Sequence, residues 1–189
     1  MTDATASPAH SRAEPRPHQR DAIMAGARQL RPRGSRALIT SACGTGKTLI
    51  GIRIAENLQA RLILNVVPTL DLLAQTALAW RKENRWEPAV AVSSMDADAH
   101  DTLRANRVGG TSDPVGLARA MAVLPRLTVF TTYASLDKIE ALWHQDLNVP
   151  AFDLAIVDEA HRVSGRADKT WATIHDAARI RADRRLYLT

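Results

Sequence analysis

Short, continuous apolar runs recur along this 189-residue chain, and stretches with apolar residues every three or four positions lie between them. The runs read as buried strands: Arg36–Thr40, Leu62-Ile-Leu-Asn-Val-Val67 stopped by Pro68, Ala89–Val92, Leu127-Thr-Val-Phe-Thr-Thr132, Phe152–Val157 and Arg185–Thr189. The stretches between them read as helices. One begins at Arg16-Pro-His-Gln19 and carries Ala22, Ile23, Ala25 and Ala27 to about Leu30, where Arg31-Pro-Arg-Gly34 breaks it. The next, apolar nearly all round through Leu49, Ile50, Ile52, Ile54 and Leu58, suits burial against a sheet. Thr69 is placed to cap a third, with Leu70, Leu73, Ala74 and Ala77 on one face. Shorter helices are predicted over Val115–Val123, after Ser135 as a cap with Leu136, Ile139 and Trp143 inward, and over Lys169–Ile180. Gly109-Gly-Thr-Ser-Asp-Pro114 reads as a turn.

Strands alternating with helices predict an α/β domain built on a mostly parallel, doubly wound sheet. Residues 1–14 lack apolar periodicity and read as a disordered tail, which leaves 15–189 as the domain. With 46% hydrophobic residues the chain can bury a core, and no apolar run reaches the length of a membrane span. A single cysteine, Cys43, excludes a disulfide framework within the chain, and a cytoplasmic location is expected. The net charge of +5 invites a nucleic-acid partner, but the basic residues are mostly Arg in an Ala-rich chain, a bias that GC-rich codons also produce.

Two motifs carry the chemistry. Ser41-Ala-Cys-Gly-Thr-Gly-Lys-Thr48 lies between the run Ala37-Leu38-Ile39 and an apolar helix, the strand–loop–helix setting of a phosphate-binding loop. Ala42, Cys43, Gly44, Thr45 and Gly46 would turn their N–H groups toward an anion at the positive end of the helix. Lys47 would reach the β- and γ-phosphates of ATP, and the Thr48 hydroxyl would hold Mg²⁺. Ser41 stands where the usual pattern has its first glycine, and is small enough to keep the turn. The second motif, Asp158-Glu-Ala-His161, follows Leu154-Ala-Ile-Val157, so its acids emerge where open α/β sheets place ligands. Asp158 suits Mg²⁺ and Glu159 the attacking water, so the expected catalytic residues are Lys47, Asp158 and Glu159. This second acid sets the pattern apart from a P-loop kinase.

Over about residues 16–189 the chain resembles the first lobe of a superfamily 2 DEAD/DEAH-type helicase, a three-layer RecA-like P-loop NTPase fold. The details are most similar to bacterial helicases related to restriction-enzyme motor subunits. Arg16-Pro-His-Gln19 resembles the segment that recognises adenine, which implies a base contact for Gln19. Ala42–Thr48 matches motif I, Val67-Pro-Thr-Leu-Asp-Leu-Leu-Ala-Gln75 motif Ia, and Asp158–His161 motif II, with His161 coupling hydrolysis to movement. Val129–Leu136 resembles the segment that reaches nucleic acid, and Leu186-Tyr-Leu-Thr189 the approach to motif III, where the domain would be cut. The resemblance implies backbone contacts to nucleic acid, with DNA favoured over RNA and both left open, through Thr69, Gly109, Gly110, Thr131 and Thr132. It also implies a second RecA-like lobe, absent here, that supplies an arginine finger; Arg181, Arg184 and Arg185 flank the last strand and do not replace it. Two functions follow as alternatives: the motor lobe of an ATP-dependent helicase or translocase, or a binding fragment without turnover.

Overall fold

The computed structural model describes residues 11–42, 44–93, 100–144, 148–158 and 173–189. Helix α1 (Pro17–Gln29) leads to β1 (Arg36–Ile39), α2 (Lys47–Asn57), β2 (Leu62–Val67), α3 (Leu70–Lys82) and β3 (Ala89–Val92). There follow α4 (Asp101–Ala105), β4 (Gly109–Thr111), α5 (Pro114–Val123), β5 (Leu127–Thr132), α6 (Leu136–Glu140), β6 (Leu154–Asp158) and β7 (Arg185–Leu188). Every strand pair is parallel, in a seven-stranded sheet of order β1-β7-β6-β2-β5-β3-β4. The two central apolar runs, β2 and β5, are buried along their whole length, as strands covered on both faces must be.

Helices α1 to α4 cover one face through Ile23, Leu30, Ile50, Ile54, Leu73, Trp80 and Leu103. The other face carries α5 and α6 with Leu117, Met121, Leu136 and Ile139, joined by Ile174 and Ile180. The result is the three-layer α/β/α arrangement expected of the RecA-like fold. Gly26 lets α1 lie close on α2: a Cβ there would stand 2.7 Å from Ile54 Cδ1 and 3.2 Å from Ile39 Cδ1.

Four expectations change. Gly109 and Gly110 are not a turn; they belong to β4, paired with Val90 and Ala91 of β3. The preceding α4 is held by the buried Leu103 and Val108, and by Arg81, whose guanidinium donates to the carbonyls of Asn106, Arg107, Arg85 and Glu87. Ser135 does not cap α6 with its side chain; a 3₁₀ turn over Tyr133–Ser135 leads in, and the Ser135 hydroxyl accepts from Thr132. Of the helix predicted over Lys169–Ile180, residues 169–172 lie outside the described residues. Thr173–His175 are helical, and Asp176 then ends the helix by accepting from the Ala178 N–H in an Asx turn.

The fourth change concerns the tail. Residues 1–10 lie outside the described residues, but Arg12 pairs with Glu56, and Ala13 donates to Glu83 while its carbonyl accepts from Arg53. Arg53 also pairs with Glu83, so the segment before α1 is bolted to α2 and the end of α3. Charge, rather than apolar periodicity, orders residues 12 and 13.

Candidate nucleotide site

A parallel sheet brings the C-terminal ends of all its strands to one edge, and the sequence motifs follow those ends. After β1 comes the phosphate loop, after β2 Pro68 and Thr69, after β5 Tyr133; Asp158 is the last residue of β6, and Thr189 follows β7. The β1–β7 ladder continues past the strands: the Thr189 N–H donates to the Ile39 carbonyl, and the Ser41 N–H donates to the Thr189 carbonyl. The base of the loop is thereby tied to the end of β7.

Within the loop, Gly44 (φ 76°) and Gly46 (φ 84°) take the left-handed backbone conformation that favours glycine. Thr45 braces the turn, donating its N–H and hydroxyl to the Ala42 carbonyl at 3.3 and 2.6 Å. Ser41 contributes more than small size. Its hydroxyl meets Thr45 Oγ1 at 2.5 Å, a side-chain clasp that a glycine at this position lacks. Cys43 lies outside the described residues.

Gln19 reaches the loop from α1. Its Oε1 accepts from the Arg16 N–H at 2.7 Å, and its Nε2 donates to the Thr45 carbonyl at 2.7 Å. The buried carboxamide is thus oriented at both ends, with its remaining N–H and lone pair directed by those two bonds. A Cβ on Gly46 would stand 2.5 Å from Gln19 Nε2. Gly46→Ala therefore combines about 1–2 kcal/mol of left-handed backbone strain with loss of the Gln19–Thr45 bond, worth about 1 kcal/mol. The expected outcome is a urea unfolding free energy lower by about 2–3 kcal/mol, together with weakened nucleotide binding. Wild-type values for both would remove Gly46 from the account.

Helix α2 opens at Lys47 with Gly46 as its N-cap, and no acidic residue in its first turn competes for its N–H groups. Those groups, the helix dipole and the buried Lys47 ammonium form a cradle for an anion. Thr48 and Asp158 line one small cavity together with Asn65, Thr76 and Trp80. One hydroxyl and one carboxylate are hard oxygen donors, which fits a Mg²⁺ held in part by substrate phosphates. Among the described residues no group of three or more His, Cys, Asp or Glu could hold a metal. Tyr133 fixes the end of β6 by donating its hydroxyl to the Asp158 carbonyl at 2.8 Å. Glu159 and His161 lie outside the described residues.

The expected nucleic-acid residues separate. Thr69 is exposed at the strand edge, its hydroxyl capping α3 by accepting from the Leu72 N–H at 3.3 Å. Thr131 is fully buried and donates its hydroxyl to the Val92 carbonyl. Thr132 is also buried, bonded to Ser135. Gly109 opens β4 at the outer strand of the sheet, and Gly110 follows it inside that strand. The three arginines near β7 are structural. Arg181 stacks over Trp143, Arg184 donates to the Leu30 carbonyl, and buried Arg185 donates to the carbonyls of Ile174, Ile180 and Ala182.

Two residues escaped the sequence reading. Tyr133 follows the strand Leu127–Thr132 directly, so its place just past a strand end is a usable signal. Asn65 was the only polar residue within the run Leu62–Val67. No helix among the described residues is long and apolar enough to cross a membrane.

Known proteins share this architecture. The chain is 31% identical over 183 residues to the probable helicase A859L of African swine fever virus (isolate Tick/South Africa/Pretoriuskop Pr4/1996), a match covering 93% of this chain and 19% of the viral protein. The chain thus spans about a fifth of the length of that relative. A nuclease-deletion mutant of the Type ISP restriction-modification enzyme LlaGI, solved with a DNA substrate mimic, superimposes with a TM-score of 0.75 at 27% identity, covering 94% of this chain and 17% of that enzyme. The Hef helicase domain of Pyrococcus furiosus shares the fold at a TM-score of 0.58 and 21% identity, covering 93% of this chain and 32% of that one. The sequence profile of the family described as "Type III restriction enzyme, res subunit" matches residues 12–189, beginning at the arginine that bolts the segment before α1 to α2. This chain belongs to that family, and its fold is that of the first RecA-like lobe of superfamily 2 helicases.

Proposed function

We propose that the chain binds Mg·ATP at the α2 N-terminus and serves as the ATP-binding half of a nucleic-acid motor whose second RecA-like lobe lies elsewhere in a longer protein. The observation that carries this reading is the meeting of three motifs at one sheet edge: Gln19 bonded to the phosphate loop, Lys47 opening α2, and Asp158 lining the same cavity as Thr48. Lys47 and the loop amides bind and orient the phosphates, and Thr48 and Asp158 hold the metal, which supplies charge neutralisation on them. Glu159 accepts the proton of the attacking water. Thr69 contacts the nucleic-acid backbone without reading sequence. DNA is the favoured partner, in keeping with the DNA substrate mimic bound by LlaGI.

The test compares phosphate release with and without single-stranded DNA or RNA, in this chain and in the longer parent. We expect stimulation in the parent, stronger with DNA, and almost none in the chain. An arginine finger supplied by a second lobe is worth ~10³–10⁵ in rate in related phosphoryl-transfer systems. Strong stimulation of the chain by itself would overturn the two-lobe reading.

A further inference from the structure

The central strand β2 is buried at every residue. Its alternation sends Ile63 and Val67 into the apolar layer under α2 and α3, and Asn65 lies between them on the same face. Its neighbours in register are Phe130 of β5 and Ile156 of β6, both members of that layer. Trp80 of α3 meets Phe130 edge to face at 6.1 Å. In these surroundings Asn65 is only 3% exposed, and its Nδ2 has no hydrogen-bond partner among the described residues. A buried amide left so costs about 1–3 kcal/mol.

The same side chain lines the cavity that touches Thr48 and Asp158, a space of about 10 Å³ that Thr76 also borders. That volume matches one water molecule, and such a water needs two to four polar partners. Asn65, Thr76, Thr48 and Asp158 are the polar residues of its lining, and Gly51, Val66, Val67, Trp80, Ile156 and Leu188 make up the apolar remainder. We propose that Asn65 holds one buried water that links β2 to Thr48 and Asp158, which makes Asn65 a positioning residue for the metal-binding pair. Asn65 Nδ2 donates to the water oxygen, and the water's own protons go to the Asp158 carboxylate and the Thr48 hydroxyl oxygen. The side chains of the pair are then held in place before the nucleotide arrives. The positioning role rests on the reading of Thr48 and Asp158 as metal ligands; the water site does not.

Two measurements test it. The first is a high-resolution crystal structure of the ligand-free chain. Ordered water within hydrogen-bond reach of Asn65 Nδ2 and of Thr48 or Asp158 is expected, and a dry cavity overturns the proposal. The second is calorimetric titration of ADP with and without MgCl₂ in the wild type, Asn65→Leu and Asn65→Ser. Leucine keeps the shape without the amide, so the melting temperature should hold or rise and the metal-free affinity should stay unchanged. The gain in affinity on adding Mg²⁺ should fall about 10-fold, the scale seen when a partner of a metal ligand is removed. Serine, which keeps a hydroxyl and leaves room for the water, should restore most of that gain. An undiminished gain in Asn65→Leu, equal losses with and without Mg²⁺, or equal losses in the leucine and serine variants would each overturn the positioning role. A wild type that gains nothing from Mg²⁺ would instead remove the metal reading of Thr48 and Asp158, and the positioning role with it. The crystal structure would still decide the water.

Discussion

Lys47→Ala is expected to reduce Mg·ATP affinity by about 100- to 1,000-fold while leaving the melting temperature close to wild type. Lys47 is the one side-chain cation within the loop Ser41–Thr48, and it opens α2 where the backbone N–H groups point outward. A charge-assisted bond to phosphate contributes about 1.5–3 kcal/mol, and an ammonium that bridges two phosphoryl groups about 3–4 kcal/mol. At 1.4 kcal/mol per decade this is the stated loss. Lys47 opens α2, and alanine is the strongest helix former, so the fold should tolerate the change. Calorimetric titration in parallel with thermal unfolding checks both halves. Undiminished affinity would mean that the anion is held by the backbone and the helix dipole alone.

Glu159→Gln in the longer parent should preserve nucleotide binding and lower turnover by about 10²–10⁴-fold, the range a positioned general base supplies. Glutamine keeps the shape and a hydrogen-bonding oxygen but cannot take the proton of the attacking water. Asp158, one residue earlier, has its backbone fixed by pairing with β7 and by Tyr133, so the substitution should not disturb the metal side of the site. Single-turnover hydrolysis with a separate binding assay distinguishes the two effects. Normal steady-state rates in the variant would assign the water to another group.

Much of this architecture was legible in the residues. Strands such as Leu62–Val67 and Leu127–Thr132 announce themselves because a strand covered on both faces needs a run dominated by apolar and β-branched residues, and both occupy those residues in the structure. Thr69 was readable as a helix cap because that role is local, a hydroxyl one turn from an unpaired N–H. By contrast β4, with two glycines in three residues, owes its existence to the edge of β3 and to Arg81, and nothing in its own sequence favours a strand. Thr131 and Thr132 looked like polar residues at a strand end. Their burial depends on Val92 and Ser135, which approach only in three dimensions. The site divides in the same way. The phosphate loop and Asp158 follow from motif and context, whereas the Ser41–Thr45 clasp, the Tyr133 anchor and the isolation of Asn65 depend on distances that spacing does not encode.

The position of β1 has a consequence for how the molecule comes into being. Within the described sheet β1 pairs with β7 alone, Arg36 opposite Arg185, so the strand that launches the phosphate loop must wait for a strand about 150 residues further along the chain. Partners so far apart along the chain make for slow closure, because the entropy of a long loop is lost before the contact is gained. During synthesis β2, β5 and β3 can associate, with α3 packed on them, while the first helix pair still has no sheet to complete. Only when β7 slots between β6 and β1 does the Ser41 N–H find the Thr189 carbonyl. Nucleotide-binding competence should therefore appear late in refolding, after most of the helical signal has returned, and a nascent chain should acquire it only once β7 has left the ribosome.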